Sequence, residues 1–132
     1  MPKADPYRHT NLSIPDGEDY RCAAFNGRGE PVLGVCIRCD KALSVKLAYG
    51  RAGVDTAAAE GIASSASLPF GTAAQTFVSS AGLEGGTYHE FEVPPHATLL
   101  QLVLSNASGS TATVSTIDYE FDPETVTEED AV

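Results

Sequence analysis

The chain of 132 residues sets 8 Lys and Arg against 18 Asp and Glu, a formal net charge of −10, and 42% of its residues are hydrophobic. That composition gives one folded domain and excludes wholesale disorder, and the acidic excess excludes a DNA or RNA binder, whose affinity comes from cations that displace counterions from phosphates. No apolar run reaches the ~18 residues of a membrane span, and Met1 to Asp5 leads into polar sequence instead of a signal-peptide core. The expectation is a soluble protein of the reducing cytoplasm with neither a nucleic-acid nor a membrane partner. Sequons Asn11-Leu12-Ser13 and Asn106-Ala107-Ser108 then carry no weight, since glycosylation needs secretion.

Residues 1–20 contain Pro2, Pro6 and Pro15 and few large apolar side chains, which predicts an extended N-terminal arm. Cys22 to Phe25 and Val32 to Ile37 read as two strands of a hairpin across the Asn26–Pro31 turn residues. Leu43, Val45, Leu47 and Tyr49 alternate with Ser44, Lys46 and Ala48, the period of a strand with one buried face. Residues 52–86 are rich in Ala, Gly, Ser and Thr and read as loop, with a short helix possible at Asp55–Glu60 and one strand near Ala74–Ser79.

Thr87 to Val93 puts His89, Phe91 and Val93 on one side and Tyr88, Glu90 and Glu92 on the other, before a corner at Pro94-Pro95-His96-Ala97. Thr98 to Leu104 is apolar on both faces, as a central strand must be. In Thr111 to Phe121 the apolar residues change parity between Val114 and Ile117, so a β-bulge near Ser115-Thr116 is required to keep both sets inside. Residues 122–132 hold five acids and Pro123 and read as a solvated acidic tail. The sum is an all-β protein: arm over 1–20, antiparallel β-sandwich over 21–121, jelly-roll or immunoglobulin-like, and tail over 122–132.

Charge is uneven along the chain. All eight basic residues lie at or before Arg51 with six acids, whereas residues 52–132 hold twelve acids and no base. If the first third stayed together in space, the molecule would have a mildly basic face and a strongly acidic one.

Chemistry-bearing motifs are sparse. Cys36-Ile37-Arg38-Cys39 is a CxxC, and with Cys22 and His9 it would offer three sulfurs and one nitrogen to zinc. It lacks a second CxxC or CxxH, and Cys36 completes the pattern of a strand, so the favoured reading is three reduced cysteines and no metal. Asp16-Gly17-Glu18-Asp19 clusters oxygens without the ligand spacing of a calcium loop. No GxSxG elbow and no phosphate-cradling GxxxxGK occurs, so no catalytic residue is assigned, no cofactor is expected, and the chain is not expected to be an enzyme.

The run Leu47-Ala48-Tyr49-Gly50-Arg51-Ala52-Gly53-Val54-Asp55-Thr56-Ala57, then Gly61-Ile62, Leu68-Pro69, Glu90-Phe91-Glu92-Val93-Pro94-Pro95-His96-Ala97-Thr98 and a final Ser/Thr/Val strand, resembles small β-sandwich structural proteins of tailed bacteriophages. The resemblance covers about residues 42–121 and departs from the pattern in a longer 70–86 segment and in the Pro-Pro-His corner. It implies a virion component on the capsid surface, assembled in the host cytoplasm. The role implied is a capsid decoration (cement) protein that binds the major capsid protein, commonly as a homotrimer. Tyr7, Arg8, Leu12 and Ile14 are then the expected arm contacts, and Arg21, Arg28 and Arg38 the charged contacts to the shell. The competing expectation is a receptor- or carbohydrate-binding module of a phage spike, fibre or tail, against which the lack of Trp counts.

Overall fold

The computed structural model describes residues 12–27, 31–64, 72–79, 82–94 and 96–121. Ten strands run in chain order: β1 (Leu12–Ile14), β2 (Glu18–Arg21), β3 (Phe25–Asn26), β4 (Val32–Cys39), β5 (Ser44–Gly50), β6 (Gly61–Ser64), β7 (Thr72–Val78), β8 (Gly82–Glu92), β9 (Leu99–Ser105) and β10 (Ala112–Phe121). Every pairing between them is antiparallel. Sheet A has the order β1-β10-β4-β8, and sheet B the order β6-β2-β9-β5-β7 with β3 beside β9. With short β3 and the added edge strand β6 set aside, the other eight strands form the orders first-eighth-third-sixth and second-seventh-fourth-fifth. That order is a jelly roll, which settles the choice between the two expected sandwiches.

Alternation explains the core. Leu33, Val35, Ile37 and Cys39 of β4 and Val45 and Leu47 of β5 point inward, where they meet Phe91, Leu100, Leu102, Leu104, Ile117 and Tyr119. Burying each large apolar side chain contributes about 1.5–3 kcal/mol. β9 is buried on both faces, as expected: Leu100, Leu102 and Leu104 enter the core, while Gln101 and Val103 are buried on the outer side. The bulge also stands where alternation required it. The β10–β4 register shifts between Val114 and Thr116, so Ala112 and Val114 share the core with Ile117 and Tyr119.

Four expectations are corrected. Residues 12–20 do not belong to an arm: β1 pairs with β10, β2 pairs with β6 and β9, and Ile14 is a core residue. Pro15 does not break this stretch because it sits between strands, in a turn where Glu18 N donates to the Pro15 carbonyl at 3.2 Å and Gly17 takes φ of 82°. The hairpin of residues 22–37 does not form either. β3 pairs with β9 in sheet B and β4 lies in sheet A, so the glycine-rich stretch between them carries the chain from one sheet to the other.

No helix forms at Asp55–Glu60. Arg51 N instead donates to Asp55 Oδ2 at 2.8 Å, which closes a tight turn, and the Gln101 side chain bonds both the N–H and the carbonyl of Ala58. Charge is likewise not sorted by the first third of the chain, because β4 lies between β10 and β8, and β5 lies between β9 and β7. The remaining arm, residues 1–11, and the acidic tail, 122–132, lie outside the described residues. Among the described residues no helix is long and apolar enough to cross a membrane.

Candidate functional site

Pairing registers place the side chains of the two outer faces in rows. On sheet A, Thr116 lies beside Arg38; Asp118, Cys36 and Tyr88 make the next row; then come Gly34 and Glu90; and Val32 and Glu92 complete the face. Tyr88 is 54% exposed, and its hydroxyl donates to Glu90 Oε2 at 2.9 Å. Gly34 leaves the middle of the face flat. The surface therefore offers an exposed aromatic at Tyr88, an exposed guanidinium at Arg38 and the carboxylates of Asp118, Glu90 and Glu92.

Sheet B presents a different face. Asp19, Ser105, Ser44 and Val78 form one row, and Arg21, Val103, Lys46 and Thr76 the next. Asp19 is buried, and its Oδ1 and the Ser105 Oγ find no hydrogen-bond partner among the described residues. Arg21 and Lys46, in the adjacent row, give that carboxylate a favourable field. The outer face of sheet A thus carries Asp118, Glu90 and Glu92 with Arg38, and that of sheet B carries Asp19 with Arg21 and Lys46.

The residues expected to act are dispersed. Tyr7, Arg8, His9 and Arg28 lie outside the described residues. Leu12 packs against the core and Ile14 is fully buried within it, so neither is an arm contact: their alternation with exposed Ser13 points them inward from β1. Arg21 and Arg38 occupy opposite faces of the sandwich, so they do not act on one surface together.

The cysteines are dispersed too. Cys36 and Cys39 are three apart on a strand, so one points outward and the other inward, and a CxxC on that backbone cannot chelate with both sulfurs. Cys39 Sγ donates to the Lys41 carbonyl at 2.9 Å and meets Ser79 Oγ at 3.2 Å. Cys22 is buried in sheet B, where its N–H donates to the Leu102 carbonyl. Among the described residues no group of three or more His, Cys, Asp and Glu side chains is placed to hold a metal. The oxygens of Asp16–Asp19 also diverge, since Asp16 Oδ1 accepts from Gly109 N at 2.9 Å while Asp19 lies on the face of sheet B.

One cluster of titratable groups does converge, at the sandwich end near β2 and β10. Tyr20 donates to Glu60 Oε2 at 2.6 Å, and Tyr119 stacks on Phe25 with ring centroids 4.5 Å apart. Burial, reinforced by the charge of Glu60, pushes the Cys22 thiol far up; burial, with Cys22 and Glu60 adding to it, does the same to the Tyr119 phenol. Both shifts favour the protonated form, so the thiol is a poor nucleophile and the phenol a poor base. The cluster is a packing feature in which Tyr20 and Glu60 satisfy one another.

The outer face of sheet A is the surface that sequence reading passed over. Its outward Tyr88, Glu90 and Glu92 were legible from alternation, but only the register of β10, β4 and β8 joins them to Asp118 and Arg38. No family model matches the chain, and no curated protein and no solved structure matches it.

Proposed function

We propose that the chain is a virion structural protein, a capsid decoration (cement) protein that binds the major capsid protein as a homotrimer and stabilises the shell. The observation that carries this reading is the outer face of sheet A, where Tyr88 stands exposed on the edge strand β8 beside Glu90, with Arg38 of β4 and Asp118 of β10 on the same face. Such a face suits adhesion to another surface, where an exposed aromatic supplies apolar contact and the charged side chains set orientation. The jelly-roll order supports it by analogy alone, because viral capsid domains share that architecture with lectins and cupins. Stabilisation follows from mass action, since a ligand that binds only the assembled lattice lowers the free energy of that lattice.

The test is co-sedimentation with expanded empty capsids at micromolar protein. Full-length chain is expected in the pellet, and Tyr88→Ala combined with Arg38→Glu is expected to weaken binding at least tenfold while leaving the thermal unfolding midpoint unchanged. Wild-type protein that stays in the supernatant defeats the proposal. The same exposed tyrosine beside Glu90 favours a second reading, a carbohydrate- or receptor-binding module, because a sugar face stacks on an aromatic ring while a carboxylate accepts its hydroxyls. Binding of the isolated protein to a glycan array, abolished by Tyr88→Ala, distinguishes that role.

A further inference from the structure

Asn26 is the one asparagine of the chain that precedes a glycine; Asn11 precedes Leu12 and Asn106 precedes Ala107. Glycine carries no Cβ to shield its backbone nitrogen, so the nitrogen of Gly27 can approach the side-chain carbonyl carbon of Asn26. Once that nitrogen gives up its proton it attacks Asn26 Cγ, the bond from Cγ to the side-chain amide nitrogen breaks, and ammonia leaves with a proton taken up. The five-membered succinimide that results is opened by one water. Cleavage at the new Cγ–N bond leaves an aspartate, and cleavage at the original peptide bond leaves an isoaspartate, with the chain rerouted through Cγ and one methylene longer.

The fold holds this chemistry back at one point. Asn26 ends β3 with its side chain exposed, while Gly27 N–H donates to Thr98 O at 3.1 Å and continues the ladder in which Phe25 faces Leu100 and Asn26 faces Leu99. In that ladder the N–H keeps its proton and lies along the sheet, whereas side chains stand off it, so nucleophile and Cγ are held apart. The latch is short, however. β3 has two residues and lies off the main path of sheet B, and small elements of this kind open locally at a lower free energy than the whole fold. We propose that Asn26 is a spontaneous deamidation site of the folded protein, latched by the Gly27–Thr98 hydrogen bond and released when β3 leaves β9. Asn106 is the contrast: it is buried, and its Nδ2 donates to the carbonyls of Ile14 and Ser110. The product does not fit the starting place. A Cβ on Gly27 would collide with the carbonyl of Ala97, so the backbone there has no slack for an added methylene, and isoaspartate keeps β3 off β9. Phe25, stacked on Tyr119 with ring centroids 4.5 Å apart, leaves with it.

This inference goes beyond the proposed shell contact and stands independently of it, since it concerns the free protein. The test is peptide mapping by mass spectrometry, with an isoaspartate assay, on full-length chain incubated at mildly alkaline pH in buffer and in urea. Asn26 is expected to convert in both, at least tenfold more slowly in buffer, with Asn106 intact in buffer. The Phe25→Ala variant, which loses the stack that holds β3 down, is expected to convert in buffer at least threefold faster than wild type, and Asn26→Gln, whose ring would need six members, is expected to give no product. An unmodified Asn26 in urea, or Asn106 modified first in buffer, overturns the site. Equal wild-type rates in buffer and urea overturn the latch, as does a folded Phe25→Ala variant that converts no faster than wild type; should that variant fail to fold, the comparison of buffer with urea decides.

Discussion

Gly27 has no room for a side chain. A Cβ there would lie 2.2 Å from the carbonyl oxygen of Ala97, a backbone atom that cannot swing away, and Gly27 N–H donates to Thr98 O at 3.1 Å on the same contact. Gly27→Ala is therefore expected to destabilise the fold by about 2–3 kcal/mol, read as a lower urea midpoint with an unchanged slope. The thiols make a second prediction at this scale. Cys36 is half-buried on an outer face, whereas Cys22 and Cys39 are buried, so a disulfide reagent at neutral pH is expected to modify one thiol in the native protein and three in denaturant. Rapid modification of all three under native conditions would contradict the packing described for Cys22 and Cys39.

Single elements carry phase information that single residues do not. Deleting Ser115 would remove the extra residue of the β10 bulge and turn Ile117 and Tyr119 outward, or else turn Ala112 and Val114 outward. The deletion is expected to abolish cooperative thermal unfolding, whereas Ser115→Ala, which keeps the count, is expected to shift stability by less than about 1 kcal/mol. This bulge, the alternation of β5 and the doubly buried β9 were all legible in the sequence, because each is written in the spacing of apolar residues along one strand. What spacing does not encode is which strand lies next to which. The stretch from Asn26 to Pro31 has the composition of a hairpin turn, yet it joins β3 in one sheet to β4 in the other. Alanines at 57–59 favour helix locally, and the distant Gln101 overrides them by taking the backbone of Ala58 for itself. Three-residue β1 escapes notice among prolines because Ile14 gains its burial from Ala112 and Val114 on the far side of the chain. The candidate face on sheet A was half legible for the same reason: Tyr88 and Glu90 declare themselves, and Asp118 and Arg38 join them only through register.

At the scale of the molecule, burial of ionisable groups sets a pH limit. The thiols of Cys22 and Cys39 and the Tyr119 phenol are all raised above their ordinary values of 9.0 and 10.0, chiefly by burial. A group raised in the folded state contributes its full stability below its unfolded pKa and loses it as pH climbs toward the folded one, because only the unfolded chain releases the proton. Stability is thus expected to be flat with respect to these groups below pH 9 and to fall progressively above it, as followed by urea midpoints across pH 8 to 11. A Cys22→Ala, Cys39→Ala variant is expected to flatten the onset of that fall; a curve of the same shape would show that other groups govern it.

The pairing of β1 with β10 also orders events in time. Ile14 leaves the ribosome about a hundred residues before Ala112, its partner, so at 5–20 residues per second the first strand waits about 5–20 s for the last. During that wait sheet A has neither its edge nor the strand between that edge and β4, and the apolar side of β4 stays open to other nascent chains. Sheet A is consequently completed only once β10 has been made, and conditions that slow elongation should depress soluble yield even where the finished molecule is stable.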